Sequence, residues 1–137
     1  MTGSAMMTLF ALLGSPALAG DTLFVTWDHE ENSFIVGLDA RTGAERWRRP
    51  REERSSWSTP VIVTVEGRLQ AIVAAAGRTR SYDPATGEVI WEAAGLTENV
   101  IPTPVIGHGM VYLASGFRGN AIQAVKLTAR GDVTDTP

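Results

Sequence analysis

The sequence predicts an all-β fold: a β-propeller of four-stranded antiparallel blades, with about three blades in an open arc. Three observations carry this prediction. One stretch recurs at a fixed distance: Leu38-Asp39-Ala40-Arg41-Thr42-Gly43-Ala44-Glu45-Arg46-Trp47 returns as Tyr82-Asp83-Pro84-Ala85-Thr86-Gly87-Glu88-Val89-Ile90-Trp91, with 83 − 39 and 91 − 47 both equal to 44. Gly131 lies one further period on, since 131 − 87 = 44. Ser15-Pro16, Thr59-Pro60 and Thr103-Pro104 keep the same clock. Each period also divides into four short β-prone pieces with turn residues between them. Four strands per period of about 40–45 residues is the signature of a propeller blade. Helical periodicity is absent.

The elements follow in order. In the first blade, about residues 14–57, strands are expected at 16–19, 22–27, 33–39 and 44–48. In the second, about 58–101, they are expected at 60–65, 69–75, 78–83 and 88–92. The run Ala71-Ile72-Val73-Ala74-Ala75-Ala76 is the longest apolar one and sits between Gly67 and Gly77, which reads as a buried strand. The third blade, about 102–137, offers strands at 104–106, 110–114 and 121–127, then a polar tail that ends in proline. Its outer strand is expected to be incomplete or poorly ordered.

The recurring motif is turn chemistry. In Asp83-Pro84-Ala85-Thr86-Gly87 the Asp carboxylate is placed to accept from backbone amides two residues on. Pro84 presets φ for a type I turn. Gly87 takes the left-handed conformation that closes the loop. Asp39-Ala40-Arg41-Thr42-Gly43 repeats the design without the proline. Each Trp follows its Gly by four residues, so Trp47 and Trp91 occupy the same face of equivalent strands. Both are expected to be buried at blade interfaces, in equivalent environments.

This pattern resembles the tryptophan-docking repeat of the quinoprotein-like, or PQQ-like, β-propellers. Asp39, Thr42, Gly43 and Trp47 match it, with Gly37 where the family has Ala. Asp83, Thr86, Gly87 and Trp91 match it, with Ser81 in that place. The third copy keeps only Gly131: Leu127 stands in the Asp position and Asp135 in the Trp position. The resemblance implies the fold, and a periplasmic or exported location. It does not fix an activity, because one fold hosts many functions. Two readings of different class follow from it. The first is a non-enzymatic scaffold or binding surface, similar to the outer-membrane-protein assembly propeller. The alternative is part of a PQQ-dependent alcohol or sugar dehydrogenase, with PQQ and calcium as cofactors. The first reading assigns no catalytic, cofactor or metal residues.

Composition narrows the partners. The chain has 137 residues, 44% of them hydrophobic, enough for one core. Propellers close with about 4–8 blades. The partners expected are therefore the remaining blades of a larger propeller, or another protein. Self-association is also expected through open flanks presenting Phe34, Val36, Ile90 and Val105. The net charge is −3 with both signs mixed, which excludes the basic stripe of a nucleic-acid binder. Cysteine is absent, which excludes disulfides, thiolate metal sites and haem attachment by a Cys-x-x-Cys-His motif. No apolar run reaches the ~18 residues of a membrane-spanning segment. Two readings of the start compete. Met6 to Ala19 is apolar and ends in an Ala-x-Ala cleavage pattern, yet Met1–Ala5 carries no Lys or Arg. Against a signal peptide, Ser15-Pro16 is in register with the other two pairs and so belongs to a blade strand.

Candidate chemistry is sparse. Asp28-His29-Glu30-Glu31-Asn32 reads as a solvated hairpin tip rather than a metal site, because its side chains alternate in direction. Residues 45–54 hold five Arg and three Glu. They read as a solvated inter-blade loop with internal ion pairs, the competing reading being an anion-binding rim of Arg forks. Trp57 reads as a packing residue. Arg78 and Arg80 share one strand face. In cofactor-binding relatives an Arg, acids and amides line the central channel. The resemblance also makes Thr97-Glu98-Asn99 a candidate calcium-holding pair of Glu and Asn, against the plainer reading of a connecting loop. His108, between Gly107 and Gly109, reads as a turn residue with no Ser or Asp placed to make it a base.

Overall fold

A computed structural model describes residues 14–136. The described chain is all β: β1 (Ala17–Ala19), β2 (Thr22–Trp27), β3 (Ser33–Asp39), β4 (Glu45–Arg51), β5 (Val61–Val65), β6 (Arg68–Val73), β7 (Thr79–Tyr82), β8 (Val89–Ala93), β9 (Val105–Gly107), β10 (Met110–Ser115), β11 (Ala121–Lys126) and β12 (Gly131–Asp132). The first sheet has the order β1-β2-β3-β4, an up-and-down meander with antiparallel pairing throughout. The second repeats it as β5-β6-β7-β8. The 44-residue period is visible in their irregularities. A bulge falls at Gly37/Leu38 in one sheet and at Ser81/Tyr82 in the other, so Gly37 faces Trp47 just as Ser81 faces Trp91.

Three stacked sheets make two junctions, and each junction has its own core. Phe24, Ile35 and Trp47 of the first sheet meet Ala71, Val73 and Tyr82 of the second. Val65, Ile72, Ala74, Trp91 and Ala93 of the second meet Val111 and Leu113 of the third, with Val100 and Leu127. β6 explains why its sequence does not alternate. Ala71 and Val73 face one junction while Ile72 and Ala74 face the other, so all four are at most 1% exposed. A strand buried on both faces reads as a continuous apolar run. β10 lacks a fourth sheet beyond it and does alternate: Val111, Leu113 and Ser115 are buried while Tyr112 is exposed.

Among the described residues the third sheet has only three strands, β11-β10-β9. The chain does not go on to a loose fourth strand. After the turn at Gly131 it crosses to the second sheet, and β12 pairs parallel with the outer edge of β8, Gly131 opposite Trp91 and Asp132 opposite Glu92. Val133 N–H then donates to the Glu92 carbonyl at 2.9 Å. The expected incomplete third blade is present, but its tail is not loose: it is bonded to the neighbouring blade.

The N-terminal strand pairs Ala17 with Phe24 and Ala19 with Thr22, as the repeat register predicts. Residues 1–13, on which the signal-peptide reading mostly rests, lie outside the described residues. The expected apolar flank is also corrected. Ile90 packs within the second junction and Val36 is buried. Phe34 is half-buried, stacked parallel on Trp27 and covered by the Arg48 guanidinium 4.1 Å from its ring centre. Of the four named residues only Val105 stands exposed, at 62%.

Candidate functional site

The motif residues form two matching turns. Asp39 Oδ1 accepts from the amides of Arg41 and Thr42 at 2.9 and 3.0 Å, and the Gly43 amide closes on the Asp39 carbonyl at 2.8 Å. Thr42 Oγ1 accepts from Ala44 N–H at 3.2 Å. In the second copy Asp83 Oδ1 accepts from Ala85 N–H, Gly87 N–H closes on the Asp83 carbonyl, and Thr86 Oγ1 accepts from Glu88 N–H. Gly43 and Gly87 share φ +74, which glycine adopts without penalty. Asp39 carries a further load: its Oδ2 lies 2.6 Å from Arg46 Nη2, and Asp21 holds the same guanidinium. The Arg46 bond, followed by the two backbone amides, holds the Asp39 carboxyl down at about 2.

Trp47 joins one blade to the next. Its Nε1–H donates to the Pro84 carbonyl, in the second motif's turn, at 3.0 Å. The indole lies between two glycines. A Cβ on Gly37 would come within 2.3 Å of the ring, and one on Gly87 within 2.5 Å. Trp91 is even more buried, at 0%, but its surroundings differ. Among the described residues its Nε1 has no hydrogen-bond partner, and Gly131 has nothing within 4 Å of where a Cβ would be. The Gly37 position is occupied by Ser81, whose Oγ donates to Gln70 Oε1 at 2.8 Å. The two Trp residues are therefore both buried, but not equivalent.

A charged network at the opposite end of the same blade junction was not legible in the sequence. Arg51, at the end of β4, forms a bidentate pair with Asp28, at 2.8 and 3.0 Å, and both side chains are at most 1% exposed. Its third nitrogen donates to Tyr82 Oη. Burial pushes the Asp28 carboxyl up, and the Arg51 fork pulls it back without cancelling the rise. Two residues on, the buried Glu53 carboxylate accepts from the amides of Gly77 and Arg78 at 2.9 Å each, and from Arg80 at 2.8 Å. A Cβ on Gly77 would fall 2.7 Å from that carboxylate, so glycine there makes room for it. Arg80 and Arg78 both bond Glu92, and Arg78 continues to Asp132 of the tail at 2.7 Å. Thr134, first through its hydroxyl and then its amide, and then Arg78 hold Asp132 at about 2.

These facts correct the reading of residues 45–54 as a solvated loop in part: Glu45–Arg51 is a strand and Arg51 and Glu53 are buried, while Glu45, Arg46, Arg48, Arg49, Glu52 and Arg54 are exposed and Arg48 pairs with Glu45 as expected. They also weigh against the anion rim. A cleft of about 470 Å³ is lined by Arg49, Arg51, Arg80, Tyr82, Glu52 and Glu88 among others. Its Arg forks are already engaged: Arg51 by Asp28, Arg80 by Glu53 and Glu92, and Arg49 by the Thr86 carbonyl. Asp28 is likewise not part of a solvated tip, whereas His29, Glu30, Glu31 and Asn32 are exposed. Nor do Glu98 and Asn99 fit a calcium cage. Glu98 is solvent-facing with its carboxylate 3.4 Å from Arg118, and among the described residues no three His, Asp or Glu side chains converge. His108 is an exposed turn residue with φ +52, and Trp57 is half-buried with its amide bonded to the Val100 carbonyl.

The family described as outer membrane protein assembly factor BamB matches residues 31–134. No curated protein matches the chain. Among solved structures, BamB from Moraxella catarrhalis superposes with a TM-score of 0.59 at 20% identity, over 85% of this chain and 41% of that one. A europium-containing methanol dehydrogenase superposes with a TM-score of 0.58 at 14% identity, over 85% of this chain and 23% of that one. The likeness to both is one of fold, and the chain spans less than half the length of either.

Proposed function

We propose that this chain, which belongs to the PQQ-like β-propeller family of the outer membrane protein assembly factor BamB, is a non-enzymatic scaffold or binding surface and one arc of a larger propeller. The observation that supports this best is the state of its charged groups. The buried acids and arginines at the first blade junction are engaged by one another and by backbone amides, from Asp28–Arg51 through Glu53–Arg80 to Asp132, while Glu52 and Glu88 stand exposed at the rim of the cleft. Catalytic groups need a lone pair, proton or charge free to meet a substrate. A saturated network instead fixes how two blades sit. On this reading the motif residues, with Trp47 as the docking side chain, are structural, and the chain holds no PQQ or calcium of its own. Its partners are polypeptides, either the remaining blades or another protein, and its compartment is the periplasm or beyond.

The test is titration of the chain with PQQ and calcium, followed by quinone absorbance, together with fractionation of cells that express it. The expected result is no saturable quinone uptake and recovery from the envelope fraction. Saturable binding accompanied by dye-linked alcohol oxidation would overturn the reading in favour of a dehydrogenase.

A further inference from the structure

The diversion of the tail leaves a vacancy of defined shape. In the first two sheets the outer edge of the third strand is covered by a fourth, β4 on β3 and β8 on β7. β11 occupies the corresponding third place in its sheet and, among the described residues, has β10 on one side only. Its outer edge therefore offers a row of unpaired backbone donors and acceptors, a template for another strand. The strand Ala121-Ile122-Gln123-Ala124-Val125-Lys126 has no proline and no bulge to protect it, and Ile122 is 83% exposed.

Beside that edge runs a groove of about 460 Å³. Ala124, Val125 and Lys126 line it on the strand side together with Met110 of β10, which pairs with Lys126, and Ala129, Arg130 and Val133 are among its residues on the turn and tail side. A strand residue occupies about 160 Å³ (~3.3 Å of rise, ~4.8 Å between strands, ~10 Å between sheets), so the groove holds about three residues. Three is also the number of β11 residues lining it.

We propose that this groove binds an extended, acidic segment of a partner polypeptide, added antiparallel to β11 as the fourth strand of the third blade. This rests on the reading of the chain as a binding surface and names what it binds. Charge selects the occupant. Residues 121–130 contain Lys126 and Arg130 and no acid; Arg130 has one loose partner, Glu66 at 3.8 Å, with both side chains more than half exposed. Asp132, the acid in the groove, is already bonded to Arg78 and Thr134. A second copy of β11 would double the positive charge, whereas an acidic strand neutralises it. The protein's own second blade shows what such a strand looks like: β8 is flanked by Glu88 and contains Glu92, with Val89, Ile90 and Trp91 between them.

The probe is a blocked peptide with the sequence of residues 86–94, Thr-Gly-Glu-Val-Ile-Trp-Glu-Ala-Ala, added to the full chain. Amide hydrogen exchange at residues 121–126 should slow about ten-fold when the peptide is at ten times its Kd. Two further peptides, N-methylated at alternate amides in the two possible phases, separate strand addition from simple adhesion. Only every second amide of an added strand points at its neighbour. One phase should bind like the parent and the other should not. Lys126→Glu, on an exposed side chain, should weaken binding about two- to five-fold and leave thermal unfolding unchanged. The proposal is overturned if exchange at β11 is unaffected by the peptide, or if both N-methylated phases bind equally. It is also overturned if β11 is already protected in proportion to chain concentration, which would identify a second copy as the occupant. None of these outcomes touches the quinone titration, so failure here and failure of the scaffold reading are distinguishable.

Discussion

Trp47→Phe and Trp91→Phe form a matched pair that separates hydrogen bonding from burial. Both side chains are nearly or wholly buried, both lie on the fourth strand of a sheet, and both lose the same atoms. Their sharpest difference is at the indole nitrogen. Trp47 Nε1 donates to the Pro84 carbonyl at 3.0 Å, and Trp91 Nε1 has no partner among the described residues. Trp47→Phe therefore leaves a buried carbonyl unsatisfied, at a cost of about 1–3 kcal/mol beyond the lost volume. Trp91→Phe removes a donor that is already unpaired, so only the volume loss remains. Trp47→Phe should thus be the more damaging by about 1–3 kcal/mol, a sizeable share of the ~5–15 kcal/mol typical of a domain. Truncation to Ala at either site should cost about 3–5 kcal/mol. The assay is urea unfolding followed by far-UV circular dichroism, because the substitutions remove the fluorophore itself. Midpoints are comparable only if the slopes agree. If Trp91→Phe proves as costly as Trp47→Phe, or more so, then the bond to Pro84 does not hold the blades, and the distinction drawn between the two indoles is wrong.

Three more outcomes are expected. Gly43→Ala and Gly87→Ala share the same φ, but a Cβ at residue 43 meets nothing and one at 87 meets Trp47. In equilibrium unfolding the first should cost about 1–2 kcal/mol and the second about 1–3 kcal/mol more. Arg51→Met strands the buried Asp28 carboxylate and should cost about 3–5 kcal/mol, most of it recovered in thermal melts of the Asp28→Leu, Arg51→Met double variant. Asp39 is held at about 2, below its ordinary value, so its stabilising effect is present above about pH 4 and lost as pH falls through 2. Asp39→Asn should therefore flatten the acid limb of an unfolding-versus-pH curve between those values, with little change in the shape of that curve above pH 5.

The strands were legible because they repeat. β2 and β3 fall on the expected 22–27 and 33–39, and the motif turns close through the amide bonds expected of Asp and the left-handed conformation expected of Gly. The charged network was not legible because it does not repeat. One period after Asp28 stands Ile72, and one period after Arg51 stands Gly95, so the 44-residue clock carries no trace of the pair. Asp28 and Arg51 meet only because β3 and β4 pair with Ser33 opposite Arg51, which brings the end of β4 beside the start of the β2–β3 hairpin. A run of mixed charge along the chain gives no sign of which members will be turned inward. Trp91 failed in a different way. The motif predicted its burial correctly, but the partner of its Nε1 depends on a turn one period further on, where the motif has decayed.

That decay also accounts for the path of the tail. In the first blade Asp39 acts on both sides of its turn: Oδ1 gathers the turn amides, and Oδ2 grips Arg46 on the outgoing strand, directing β4 back along β3. Leu127, at the same place in the third copy, can do neither, and it sits in the apolar junction instead. Gly131 still turns the chain, with φ +71, but nothing at the start of that turn holds the outgoing residues against β11. The second blade offers those residues several bonds. Arg78 takes the Asp132 carboxylate, the Glu92 carbonyl takes the Val133 amide, and Thr134 Oγ1 takes the Ala94 amide at 3.1 Å. In the copy whose turn has lost its carboxylate, the outgoing strand pairs with the neighbour's sheet and not with its own. It binds the second and third blades together and leaves the edge of β11 open.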